Sequence, residues 1–126
     1  MKINIESTKT TVIVQTGEVK VSGKTEIKSE ILKSSVLGSC VAVAAIDLKN
    51  KVGGLAHVLL PGKAPEQEAI KTKYAFNAID ALCNEMSSLG ADVTSMIVCI
   101  AGGAKMAGGG GEAKLEKIIF IQSLKF

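Results

Sequence analysis

The chain has 126 residues, of which 47% are hydrophobic, and this is enough to bury the core of one domain without metal or disulfide support. Fifteen basic residues against twelve acidic residues leave a net charge of +3, and aromatic residues make up 3% of the chain. Nucleic-acid-binding proteins usually combine a basic stripe with stacking rings, so the composition argues against nucleic acid as a ligand. We expect a single domain over residues 1–126.

The cysteines and the apolar runs bear on the cellular compartment. An odd number of cysteines, three, in a chain with no basic-then-apolar leader predicts reduced thiols and a cytoplasmic protein. The longest apolar runs, at residues 41–46 and 96–101, are far shorter than the roughly 20 residues that span a bilayer. We expect no membrane insertion.

The first half of the chain has the pattern of β-structure. Residues 11–23 contain short β-branched runs broken by glycine, which predicts strands joined by turns, whereas residues 24–33 fit either an exposed strand or a loop. Two apolar segments, 41–46 and 55–60, flank a polar connection and predict a buried hairpin. Gly53 and Gly54 indicate a bulge or a close backbone approach near its second strand.

The second half begins with a helical pattern. Between residues 66 and 89, apolar side chains recur at steps of three and four, and Gly90 suits a helix C-terminus. Residues 93–100 resemble a strand, and in the tail the run 118–121 favours a short buried strand over a helix. The predicted helix face consists of Ala75, Ile79, Leu82, Met86 and Leu89.

Cysteine is the strongest candidate for chemistry, because a thiolate is a competent nucleophile wherever its surroundings favour ionisation. Cys83 lies inside the predicted helix next to Leu82, and Cys99 lies inside the apolar run 96–100, so both are interpreted as small buried hydrophobic residues. Cys40 follows Gly38 and Ser39, which permit a tight turn and leave amide groups free to point at a ligand. By context alone, a structural role for Cys40 remains the more common case.

His57 is the only histidine and lies 17 residues after Cys40. If segments 41–46 and 55–60 pair as a hairpin, a residue just before the first strand lies beside one well into the second. Cys40 and His57 are therefore able to face each other. The alternative is a buried histidine with a purely structural role.

The glycine run offers a second, weaker motif. Gly108, Gly110 and Ala113 fit a G-x-G-x-x-G/A spacing, but a dinucleotide site needs a preceding strand, a following helix and an acidic residue about 20 positions on. A flexible loop is the better interpretation.

Several motifs in this chain resemble those of CheD, the chemoreceptor glutamine deamidase family of chemotaxis. The segment 37–43, Leu-Gly-Ser-Cys-Val-Ala-Val, is the most specific of them when it is combined with a histidine at this spacing. The others are Gly17-Glu18, Asp47, Gly53-Gly54, Ala56-His57-Val58, Leu60-Pro61, Lys73-Tyr74-Ala75, and Ile100-Ala101-Gly102-Gly103-Ala104 with Met106.

The resemblance implies an α+β fold, with a mixed β-sandwich-like core and flanking helices. It implies that Cys40 attacks the side-chain amide of receptor glutamines, that His57 is its base, and that Ser34 orients the imidazole. The amides of Cys40 and Ser39 would stabilise the oxyanion. Its implied partners are chemoreceptor cytoplasmic helices and the phosphatase CheC, and no cofactor or metal is expected.

Two departures from the family pattern leave an alternative open. The family's Ile-Gly-x-Arg-Asn motif is absent after the glycine run, so the domain resembles a member shortened at its C-terminus, and Phe76 stands where aspartate is common. The alternative is a catalytically degenerate module that binds receptors or CheC without turnover.

Overall fold

The computed structural model describes residues 10–23, 30–103 and 119–121. In these ranges, seven strands and one α-helix are present, together with 3₁₀ turns at Lys71–Lys73 and Val93–Ser95. The strands are β1 (Thr10–Val14), β2 (Val19–Ser22), β3 (Glu30–Ser34), β4 (Val41–Asp47), β5 (Val52–Val58), β6 (Ile97–Gly102) and β7 (Ile119–Ile121), and the helix is α1 (Ala75–Ser88).

The strands form two sheets. One is antiparallel with the order β2-β5-β4-β6, and the other has the order β1-β3-β7, in which β1 and β3 run parallel. Strands β4 and β5 form the predicted hairpin, with Val41 opposite Val58 and Asp47 opposite Val52. The second strand begins three residues earlier than the sequence predicts, because the turn between the strands is confined to residues 48–51.

The four-stranded sheet is covered on both faces. On one face, side chains of β4 and β5 pack against Leu82 and Met86 of α1. On the other face, Ala42, Ala44 and Leu55 form a second cluster with residues of β1 and β3. The alternation of side chains along each strand produces these two cores. The α+β class and the two-sheet core are confirmed, with α1 as the one α-helix of the described part.

Gly54 marks the close approach of the helix to the sheet. A Cβ at this position would lie 2.5 Å from Cδ1 of Leu82, so only glycine lets α1 pack this closely. The register of β4 and β5 runs through Gly53 and Gly54 without interruption. The sequence left a bulge and a close approach open, and the structure shows the close approach.

Helix α1 ends as predicted and begins at Ala75, the first residue of the predicted face. Gly90 has φ +99°, and the bonds from Gly90 N to Ser87 O and from Ala91 N to Met86 O form a Schellman cap. The helix is shorter than the window 66–89 in which the apolar residues recur. Residues 61–74, before the helix, form bends, a turn and the 3₁₀ turn Lys71–Lys73, and the amides of Leu59 and Leu60 both donate to the Lys73 carbonyl.

Two burial predictions need correction. Ile79 and Leu89 are exposed, and the buried helix face consists of Ala78, Leu82 and Met86. The interpretation of Cys99 as a buried residue is wrong, since it is exposed on β6, an edge strand of the four-stranded sheet. The glycine run lies outside the described residues. Among those described, no helix is long and apolar enough to span a membrane.

Asp47 connects the end of the hairpin to the segment after α1. Its buried carboxylate accepts hydrogen bonds from Asn50 Nδ2 at 2.8 Å, Asn50 N at 3.2 Å and Asp92 N at 2.7 Å. The side-chain bond from Asn50, followed by the backbone bond from Asp92, holds the pKa of Asp47 below its ordinary value of 3.8.

Candidate functional site

His57 lies near the end of β5, and its side chain is fully buried. It pairs with Ala42 across the hairpin, so its side chain points to the same face as Ala42, towards the three-stranded sheet. Strands β1 and β3 are parallel and end side by side, with Val14 opposite Ser34. The imidazole of His57 therefore meets the ends of both strands.

The Nδ1 atom of His57 has three oxygen neighbours. The carbonyl oxygen of Val14 and the Ser35 Oγ each lie 3.2 Å away, and the Ser34 Oγ lies 3.5 Å away. Ser34, which the sequence singled out, is thus brought to the histidine, and its neighbour Ser35 lies slightly closer. The Ser34 hydroxyl also donates to the Ser35 carbonyl at 2.6 Å.

These neighbours determine which ring nitrogen carries the proton in the neutral imidazole. A carbonyl oxygen only accepts hydrogen bonds, so the contact with Val14 assigns the proton to Nδ1. The Val14 carbonyl also accepts from Ser35 N at 3.1 Å, which uses its second lone pair. Nε2 is then the unprotonated nitrogen, the one able to act as a base.

Cys40 is half-buried and immediately precedes β4. It packs against the cluster that contains Val14, Leu37 and Leu55, on the face to which His57 points. Since Ala42 is opposite His57, Cys40 lies on the diagonal from His57, where Cα atoms are about 7–8 Å apart in antiparallel sheets. Within the described ranges, no hydrogen bond joins the Cys40 thiol to His57.

The backbone of Cys40 is held from the opposite side by two glycines. Gly103 N donates to the Cys40 carbonyl at 2.8 Å, and a Cβ at Gly102 would lie 2.4 Å from that same oxygen. Gly102 and Gly103 have φ values of +99° and +77°, which L side chains rarely adopt. In the described part of the chain, the amides of Ser39 and Cys40 have no hydrogen-bond acceptor.

The other nitrogen of His57 contacts a residue that the sequence analysis missed. The Thr16 Oγ lies 3.5 Å from Nε2, on the turn between β1 and β2. A threonine next to Gly17 gives no signal by itself, because 41 residues separate it from the histidine. Only the pairing of β2 with β5 brings the turn to this position.

The remaining candidate residues lie elsewhere. Cys83 is half-buried on α1 and lines a largely apolar cavity of about 420 Å³ with Phe76, Ile79 and Asp80, which includes none of the site residues. The Phe76 side chain is exposed, and Lys63 Nζ lies 5.3 Å from the centre of its ring. Among the described residues, no group of His, Cys, Asp and Glu side chains has the arrangement of a metal site.

Comparison with known proteins gives consistent similarities. Residues 59–118 match the family model of CheD, described as chemotactic sensory transduction. The chain is 43% identical over 96 residues to a probable chemoreceptor glutamine deamidase CheD of Chlorobium luteolum. Proteins with the same description from Archaeoglobus fulgidus and Syntrophus aciditrophicus are 38% and 42% identical over 97 and 98 residues. In all of these comparisons the chain is similar to CheD proteins.

The aligned segment makes up a larger share of this chain than of its CheD relatives. Each of the three alignments spans 75% of the chain but only 46%, 57% and 59% of the respective relative. The chain therefore spans about half the length of the curated CheD proteins that it matches. The model match begins two residues after His57, so the roles of Cys40 and His57 rest on geometry and motif.

Proposed function

We propose that this chain is a chemoreceptor glutamine deamidase that acts in the cytoplasm, with Cys40 as nucleophile and His57 as base. The observation that carries the proposal is the arrangement of His57. Its Nδ1 is fixed by the Val14 carbonyl and its ring lies on the face where Cys40 packs, so Nε2 is left as the basic nitrogen. The names of the CheD relatives support the same reaction.

The first half of the reaction forms a thioester. Nε2 of His57 takes the thiol proton, and the resulting thiolate attacks the carbon of a glutamine side-chain amide. The amides of Cys40 and Ser39 are available for the oxyanion, and one such donor typically contributes about 10²–10³ in rate. The intermediate collapses as the C–N bond breaks, and Nε2–H gives its proton to the departing ammonia.

The second half releases glutamate. Water attacks the thioester carbon while Nε2 takes one of its protons, and the C–S bond then breaks. The proton on Nε2 returns to the Cys40 thiolate, which restores the resting site. Nδ1–H donates to the Val14 carbonyl, and the hydroxyl groups of Ser34 and Ser35 lie beside the same nitrogen and keep the ring oriented in both halves.

The substrate of this reaction is a glutamine on a chemoreceptor cytoplasmic helix, and CheC is a further partner in the proposal. A half-buried nucleophile bordered by the exposed residues Gly38 and Ser39 suits a side chain presented from a protein surface better than a small molecule in a closed cavity. Glutamine has an amide at the end of a flexible chain and reaches such a position.

The proposal is tested by incubating the protein with a chemoreceptor cytoplasmic fragment and measuring amide-to-acid conversion by peptide mass spectrometry. We expect conversion by the native protein, none by Cys40→Ala, and a loss of about 10²–10⁴-fold in His57→Ala, which is the usual contribution of a general base. Cys99→Ala is the matched control, because Cys99 is exposed on β6. It is expected to retain native activity.

Two results would contradict the proposal. Conversion that persists undiminished in Cys40→Ala would exclude the nucleophile. No conversion by the native protein, together with binding of the receptor fragment or of CheC, would indicate the degenerate binding module instead.

A further inference from the structure

Thr16 occupies a defined position on the turn that joins β1 to β2. Glu18 N donates to Gln15 O at 2.9 Å, and Gly17 has φ +84°, so residues 15–18 have the features of a type II turn with Thr16 at its second position. The Glu18 carboxylate also accepts from Gln15 N at 2.9 Å. The position of Thr16 is thus fixed by the turn itself.

The same turn is tied to the backbone of His57. Gly17 N donates to His57 O at 2.8 Å, and His57 N donates to Glu18 O at 3.1 Å. From the other side, the Thr72 hydroxyl donates to the Gly17 carbonyl at 2.6 Å. These hydrogen bonds of Gly17 and Glu18 therefore hold the turn, and Thr16 with it, next to the imidazole.

Among the described residues, Thr16 is the one polar side chain within hydrogen-bond distance of Nε2, and the contact is 3.5 Å long. Catalytic hydrogen bonds are often long before substrate binds. A hydroxyl donates to the unprotonated nitrogen and accepts from the protonated one, so Thr16 suits both states of the base. Thr16 is exposed whereas His57 is fully buried, so this contact joins the buried ring to a residue at the protein surface.

We propose that Thr16 is a positioning residue that holds the hydrolytic water beside Nε2 during release of the thioester. The inference rests on the proposed deamidase reaction. The Thr16 hydroxyl accepts one hydrogen bond from the water, the water gives its other proton to Nε2, and its oxygen bonds to the thioester carbon. The C–S bond breaks, and the proton on Nε2 passes to the thiolate.

The role predicts a difference between the two halves of the reaction. Thr16→Val keeps the side-chain shape but removes the hydroxyl, so we expect hydrolysis of the thioester to slow about tenfold, the value of one hydrogen bond. The initial burst of ammonia is expected to stay near native. Acid-quenched reactions with the receptor fragment, analysed by intact mass spectrometry, should show the covalent adduct accumulating in Thr16→Val.

Two further variants separate the hydroxyl from other effects of substitution. Thr16→Ser restores the hydroxyl, and we expect it to restore hydrolysis. Thr11→Val makes the same chemical change at an exposed position on β1 and is expected to leave both steps unchanged. Since His57 is the only histidine, its ¹⁵N resonances are assigned without ambiguity, and Nε2 should shift in Thr16→Val while Nδ1 does not.

The outcomes distinguish this inference from the proposed function. If Thr16→Val turns over at the native rate and accumulates no more adduct than the native protein, the role of Thr16 is overturned and the proposed deamidase reaction stands. An unmoved Nε2 resonance in Thr16→Val overturns the contact on which the inference is built. If the native protein forms neither adduct nor glutamate, the deamidase is overturned and the hydrolytic role of Thr16 falls with it.

Discussion

Two glycines fix the backbone of the residue that we propose as nucleophile. Gly102 and Gly103 both have positive φ values, but they differ in what a side chain would meet. A Cβ at Gly102 would lie 2.4 Å from the Cys40 carbonyl oxygen, whereas one at Gly103 would lie 3.4 Å from a methyl carbon of Val41. The first distance is a severe clash, and the second is close to ordinary van der Waals contact.

This difference allows a matched comparison. We expect Gly102→Ala to displace Cys40 and to slow its alkylation by iodoacetamide at pH 7, because the thiol moves away from its base. Gly103→Ala also places a side chain at a positive φ, which costs about 1–2 kcal/mol as it does at Gly102, but it creates no clash with Cys40. Peptide mass spectrometry follows each cysteine separately, and the exposed Cys99 serves as the internal reference. Equal Cys40 rates in the two variants would contradict a specific role for Gly102.

Among the elements, the hairpin of β4 and β5 has two roles: it carries the candidate site and it packs against α1. One face of β5 carries His57, and the other face packs against α1. The helix approaches so closely that Gly54 has no room for a Cβ, since Leu82 Cδ1 would lie 2.5 Å away. The distance between α1 and the sheet that carries the site therefore depends on the contact between Gly54 and Leu82.

A double-mutant cycle tests this contact. Leu82→Ala should cost about 2–5 kcal/mol in free energy of unfolding, because it leaves a cavity. Gly54→Ala should cost about 1–3 kcal/mol by overpacking. The double variant should be more stable than the sum of the two losses predicts, since the added methyl group occupies part of the cavity. Urea denaturation measures all three values.

Ile79→Ala provides the control for this cycle, because Ile79 lies on the same helix but is exposed. When Ile79→Ala is combined with Gly54→Ala, the losses in free energy of unfolding should be additive. Additivity of Gly54→Ala with Leu82→Ala would show that the helix shifts freely to relieve the contact.

At the scale of the molecule, Asp47 joins parts of the chain that are distant in sequence. Its carboxylate binds Asn50 within the hairpin turn and Asp92 after α1, 45 residues away. Its pKa is held below 3.8, so the unfolded state binds more protons than the folded state between the two values. Asp47 therefore contributes stability above the unfolded pKa, and the contribution is lost as pH falls through the folded pKa.

The consequence is measurable as a pH dependence of melting. Asp47→Asn should have a lower Tm than the native protein at pH 7. The difference should shrink from about pH 5 downwards, as the native carboxylate takes up its proton. Asp80→Asn removes one negative charge from the exposed surface of α1 and is the matched control. A Tm difference that stays constant down to pH 2 would mean that the charge of Asp47 contributes nothing.

Local sequence patterns were sufficient to predict the main elements and the chemical candidates. Alternation and turn residues predicted the hairpin, helical spacing with Gly90 predicted the end of α1, and the motif around Cys40 with a single histidine indicated the pair. These features depend on neighbouring residues, whose preferences are local. The resemblance supplied Ser34, which the structure places 3.5 Å from Nδ1 of His57.

The groups that surround His57 could not be predicted from local patterns. The Val14 carbonyl, the Thr16 hydroxyl and the glycines behind Cys40 come from segments far from it in sequence, and strand pairing brings them together. The exposure of Cys99 also follows from the tertiary structure, because β6 lies at one edge of its sheet. Pairing partners and sheet edges depend on the whole chain, so local patterns do not specify them.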